Sequence, residues 1–196
     1  MATEQELRAF MRRRLMVRFE RRFEPGSITG YVVGVGPDLC MLLHIDDAIR
    51  FDGFQVFRSR DIRKLRVEPN ATFKATALSR RRDRRPVKPR LRLADFRQVI
   101  RSAGRRFPLV TIHREQIDPS VCQIGAVVDV EDRRVVLREI RPDGTWMHRA
   151  DAYALREITR VDFGGAYEHA LHLVGGRPPR ANKTQQPTGA PSGAGG

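Results

Sequence analysis

Residues 15–21, LMVRFER, alternate Leu15, Val17 and Phe19 with Met16, Arg18 and Glu20, the period of two that marks a half-buried strand. SITGYVVGV follows, then a turn at Gly36-Pro37-Asp38, LCMLLHI, FQVFR after Asp52-Gly53, and IRKLRV. A second set lies further on: LVTIHRE, VCQIGAVVDV, RRVVLREI, TWMHR after Asp143-Gly144, and ITRVDF. Two sets of five short strands joined by tight turns predict two small closed β-barrels. A helix is expected before each. Thr3 with Glu6 forms a capping box ahead of the stripe Leu7, Phe10 and Met11. In LADFRQVIRSAG, Leu93, Phe96, Val99 and Ile100 share one face and Gly104 is placed to end the helix. AYEHALHLV adds a short terminal helix or strand, and the Gly/Pro-rich tail after it reads as disordered.

The two strand sets resemble each other in sequence. GYVVGVGPDLCMLLHI from Gly30 aligns with GAVVDVEDRRVVLREI from Gly125 at an offset of 95, with six of sixteen positions identical. RDIRKLRV from Arg60 aligns with REITRVDF from Arg156 at an offset of 96, and Glu24-Pro25 with Asp118-Pro119 at 94. A two-copy repeat is expected. The division that follows is residues 1–78 (helix plus first barrel), 79–92 (Arg/Pro-rich linker), 93–174 (helix plus second barrel) and 175–196 (tail).

A helix followed by a bent five-stranded barrel, with Gly-x-Val-Val opening one strand in each copy, resembles the Sm-like and SH3-like small barrels. The resemblance implies a mainly β fold of two tandem five-stranded barrels. In Sm-like proteins that architecture implies rings that bind RNA through an Asn and an Ile-Arg-Gly. Neither stands at the matching places here: GPDLCMLL and VEDRRVVL lack Asn, and Ile62-Arg63-Lys64 and Ile158-Thr159-Arg160 lack the Gly.

Charge sharpens this picture. The net charge is +14, and only 4 of the 37 basic residues are lysines. Residues 23–79 and 107–196 each balance, so the excess lies in residues 1–22 (net +4) and 80–106 (net +10). SRRRDRRPVKPRLR carries Arg80, Arg81, Arg82, Arg84, Arg85, Lys88, Arg90 and Arg92, a density suited to a phosphate backbone, and Arg12, Arg13 and Arg14 extend the patch. A solvated linker would look similar.

Other motifs offer less. His169 and His172 lack further metal ligands at a known spacing. Gly34-Val35-Gly36 lacks the Lys of a phosphate loop and reads as a turn, and Pro86–Pro89 reads as linker chemistry. Asp61 and Glu157 stand at equivalent turns. Cys40 and Cys122 lie in apolar runs and are expected to be buried thiols. Trp146 beside Arg149 is either core or a stacking platform for a base. No nucleophile–base pair, cofactor motif or metal site is evident, so an enzyme is not expected. With no apolar run of about 18 residues and no leader pattern, the chain reads as a cytoplasmic protein without a membrane partner. Two functions lead, ahead of a third reading as a regulatory domain pair that binds no nucleic acid. One is binding of nucleic acid, RNA before DNA, through the basic segment. The other is protein interaction, with the paired barrels acting as a scaffold or homo-oligomer and the basic run docking on an acidic partner.

Overall fold

In the computed structural model, which describes residues 2–179, Thr3 caps α1 (Glu4–Arg13) through both arms of the expected box. Its hydroxyl accepts from the Glu6 N–H at 3.2 Å, and the Glu6 carboxylate accepts from the Thr3 N–H at 2.8 Å. Strands β1 (Met16–Arg21), β2 (Glu24–Val35), β3 (Leu39–Ile45), β4 (Phe51–Arg58) and β5 (Ile62–Val67) follow, and then α2 (Ala71–Arg80). After α3 (Phe96–Gly104) come β6 (Val110–His113), β7 (Cys122–Val130), β8 (Arg134–Glu139), β9 (Asp151–Ala154), β10 (Arg160–Phe163) and α4 (Ala166–Gly175).

The fold is mainly β, as expected, but the strands do not close into two separate barrels. They form one ten-stranded antiparallel sheet in the order β5-β1-β2-β3-β4-β10-β6-β7-β8-β9. The reason is the seam in its middle, where β4 pairs with β10 through Val56↔Val161 and Phe54↔Phe163. This pairing spends the edges that closure would have used. Within each half the registers match closely. Gly30↔His44 and Val35↔Cys40 recur as Gly125↔Glu139 and Val130↔Val135, and each ladder slips once, at Val32/Gly34 and at Val127/Asp129.

Two cores lie on opposite faces. Leu7 from α1 packs with Val17, Phe19, Cys40, Leu42, Phe57 and Ile62 inside the first half. The larger core gathers Phe96, Val99 and Ile100 of α3 with Val110, Ile112 and Leu137 of the second half and with Met41, Leu43 and Val56 of the first. β3 is therefore buried on both faces, which accounts for its unbroken apolar run. β8 is buried on one face, at Val135 and Leu137, and alternates with Arg134 and Arg138.

Several expectations change. Residues 71–80 form α2, whose closing residues Ser79 and Arg80 were assigned to the linker. The fourth strand of the second half is Asp151–Ala154 rather than TWMHR, because the chain at Trp146 makes only a single bridge to Ile140. The Trp146 indole N–H donates to the Gly175 carbonyl at 2.8 Å and its ring packs against the Leu109–Ile140–Leu171 cluster, a packing role. Cys40 is buried, but Cys122 opens β7 with its side chain exposed. AYEHALHLV is helical, and residues 180–196 of the expected tail lie outside the described residues.

Charged groups bind the halves together. The Arg21 side chain, fully buried, forks onto Glu115 at 2.8 and 2.7 Å, and Arg160 reaches back to Glu24 at 3.0 Å. Arg160 also grips Asp162 of its own strand, whose carboxylate accepts from His113 Nε2 at 3.1 Å. Burial pushes the Asp162 carboxyl up, but Arg160 and His113 outweigh it and hold the group well below its ordinary value of 3.8.

Removing one partner of a buried ion pair strands the other, at a cost of about 3–5 kcal/mol, whereas replacing both by apolar groups is often close to neutral. Arg21→Met is therefore expected to lower the urea midpoint strongly, with Arg21→Met/Glu115→Leu recovering most of the loss. A second outcome follows from Asp162. A carboxyl with a lowered folded pKa contributes stability above its unfolded value that is lost as pH falls through the folded one. Asp162→Asn should thus destabilise the protein at pH 7, and the difference from wild type should shrink as thermal unfolding is followed below pH 3.8.

Candidate functional site

Residues 81–95, the basic run, form no regular strand or helix, yet they are seated on the sheet. In KPRLRLA the apolar side chains alternate with charges: Pro89 is buried and Leu91 and Leu93 pack on the large core, while Lys88, Arg90 and Arg92 are exposed. Leu93 lies directly over the Gly34-Val35-Gly36 turn. A Cβ on Gly36 would stand 1.9 Å from the Leu93 carbonyl oxygen, and one on Gly34 2.6 Å from the Leu93 side chain. The two glycines thus form a saddle for the segment.

This seating places Arg90 and Arg92 beside α3. Asp95 caps that helix by accepting from the Gln98 N–H at 2.7 Å. Arg97, Arg101 and Arg105 follow at a spacing of four, which stacks them along one face. Together with Arg106, Gln98 and Ser102 they line an open groove of about 730 Å³ whose walls carry no carboxylate. Two of its arginines are held in place: Arg101 donates to the Val130 carbonyl at 2.5 Å, and Arg97 pairs with Asp132 at 3.0 Å. Arg90, Arg92, Arg105 and Arg106 are exposed, and their side chains make no hydrogen bond among the described residues.

The remaining candidates are dispersed. Arg80 and Arg84 are exposed, and Arg82 takes the left-handed conformation (φ 55°) just beyond α2. Arg81 donates to the Ala48 and Ile49 carbonyls at 2.6 and 3.3 Å, which makes it a brace for the β3–β4 turn. Arg85 lies over the Tyr31 ring, 4.4 Å from its centroid. Lys88 and Arg85 share a cleft with Arg14 of the N-terminal segment, whereas Arg12 and Arg13 are exposed on the last turn of α1. Arg97, Arg101, Arg105 and Arg106 were not among the expected residues. Their signal was present as an i, i+4, i+8 stripe opposite the apolar face of α3.

Neither cysteine is primed as a nucleophile. Burial pushes the Cys40 thiol up to about 12, and burial with the nearby Asp162 carboxylate raises Cys122. Among the described residues no group of three or more His, Cys, Asp or Glu gathers as a metal site, and no helix is long and apolar enough to cross a membrane. Comparison with protein-family models, with curated proteins and with solved structures returns no match.

Proposed function

We propose that this protein is a non-enzymatic nucleic-acid-binding protein whose working surface is the arginine groove between residues 90–92 and α3. The observation that carries the reading is the groove itself: six arginines, two of them pre-positioned, with no carboxylate among the lining residues. Guanidinium groups fork onto phosphate oxygens, and a row of them neutralises a backbone without reading its sequence. Arg85, Lys88 and Arg14 extend the positive surface towards the N-terminal helix. RNA is favoured over DNA by the Sm-like resemblance of the strand pattern, and the cytoplasm is the expected compartment.

Counterion release supplies the test. If six arginines each meet a phosphate, log K should fall with log salt at a slope of about −5 for duplex DNA and about −4 for single-stranded RNA. Fluorescence anisotropy of labelled RNA should give that slope for the intact chain. Replacing Arg90, Arg92, Arg105 and Arg106 by Ser should reduce it to roughly −1.5 on RNA, because two contacts remain. Loss of binding on changing Arg80, Arg82 and Arg84 instead would move the site to the end of α2. Absence of binding at low salt to both nucleic acids would leave the groove to an acidic protein partner.

A second reading, a self-assembling scaffold, is favoured by the ends of the sheet. The seam strands β4 and β10 correspond, at an offset of about 96, to β9 and β5, and those are the two open edges. One copy's β9 is then matched to the next copy's β5 by the same kind of pairing. Light scattering on the eluting protein should show a defined oligomer that Val67→Pro on β5 dissociates: the Glu68 N–H donates to the Met16 carbonyl of β1, so the N–H of the neighbouring Val67 faces the open edge, and proline removes that donor. A monomer at tens of micromolar would rule this reading out.

A further inference from the structure

The sheet face opposite α3 carries polar chemistry at the seam that the fold uses only in part and the arginine groove not at all. Gln55 of β4, Thr111 of β6 and Asp162 of β10 sit side by side there, and the start of α4 overhangs them with Glu168. Together with Asp52 and Cys122 they border a cavity of about 240 Å³, room for roughly eight waters at ~30 Å³ each.

The donors within hydrogen-bond reach of this cavity's carboxylates are already committed. Arg160 and His113 donate to Asp162, the Thr111 hydroxyl donates to Glu168 Oε1 at 2.6 Å, and the Ala166 N–H donates to Asp52 Oδ1 at 2.7 Å. Three acceptors are left over. Gln55 is only 6% exposed, yet its Oε1 meets no donor from the protein. Glu168 Oε2 has no hydrogen-bond partner among the described residues, and Asp52 Oδ2 lies 3.8 Å from His44 Nδ1, beyond hydrogen-bond distance. A buried amide oxygen without a partner is costly, and here it looks into a cavity that also holds two under-used carboxylates.

Gly165 keeps the space open. Its φ of −80° is one any residue adopts, so backbone conformation does not demand glycine. What a side chain would do is fill the gap: a Cβ there would lie 2.6 Å from Glu168 Oε2 and 3.0 Å from Asp52 Oδ1.

We propose that this cavity binds a small organic cation with a primary ammonium group. An ammonium carries three N–H donors and no acceptor, which complements three open acceptors of which two are anionic. The volume admits a short alkyl chain. The site is separate from the arginine groove, and the two stand or fall independently.

Cys122 reports on occupancy, because it borders the cavity while Cys40 is fully buried, so maleimide labelling of the native chain reads Cys122 alone. n-Butylammonium should slow that labelling saturably. Tetramethylammonium, which has no N–H, and n-butanol, which has no charge, should not do so at equal concentration. Gln55→Leu should weaken the protection at least about tenfold, since hydrogen bonds to charged groups are worth that much, without lowering the unfolding midpoint. Gly165→Ala should abolish protection, and the Ser variant of the groove arginines should retain it. No protection by n-butylammonium, equal protection by tetramethylammonium, or wild-type protection in a folded Gln55→Leu protein would each overturn the proposal.

Discussion

The pairing of β4 with β10 is the constraint on which the molecule depends. Four residue pairs from Phe54↔Phe163 to Phe57↔Arg160 join strands that would otherwise be edges, and the sheet becomes continuous across two halves of similar register. The seam also fixes the sides. Leu39, Met41 and Leu43 of the first half are covered only because the seam carries α3 and the second-half strands beneath them. The forked Arg21–Glu115 pair lies across the same junction. A charge pair this dry offers little net stability over an apolar substitute, but its fork geometry tolerates few alternative alignments of the two halves.

The seam separates two kinds of surface. On the α3 side the outermost layer is cationic and open to solvent, with arginines drawn from a helix stripe and an extended segment. On the other side the central strands present Gln55, Thr111 and Asp162, and carboxylates outnumber the single arginine among them. One chain of strongly positive net charge thus holds an acidic recess on the face opposite its arginine groove.

Much of this was legible in the sequence. Short apolar runs between turn signals located nine of the ten strands, and the unbroken LCMLLHI differs from RRVVLREI as a strand covered on both faces differs from one covered on one. Closure was not legible, because local pattern sets which residues face inward but not which edges meet. α2 was missed because Leu78 is its only buried residue, too little for a helical stripe. TWMHR misled because a turn signal and alternation precede it, while the pairing partner of β8 forms several residues later. The basic run was half read. Its charge was plain, but the Pro89, Leu91 and Leu93 alternation that seats it passed as linker composition. Gln55, Thr111 and Asp162 were visible only as isolated polar residues in apolar strands.

The doubly buried β3 has a consequence for biosynthesis. Chains emerge N-terminus first, so β1 to β5 can assemble around the α1 core while α3 and the second half are still being made. At ~5–20 residues per second, the roughly hundred residues from β5 to β10 take on the order of 5–20 s. For that interval the row Leu39, Met41, Leu43 and Val56 faces water on a sheet whose β4 edge is also unpaired. A nascent chain in that state is sticky on a face and an edge at once, and a neighbouring copy on the same messenger carries the complementary surface.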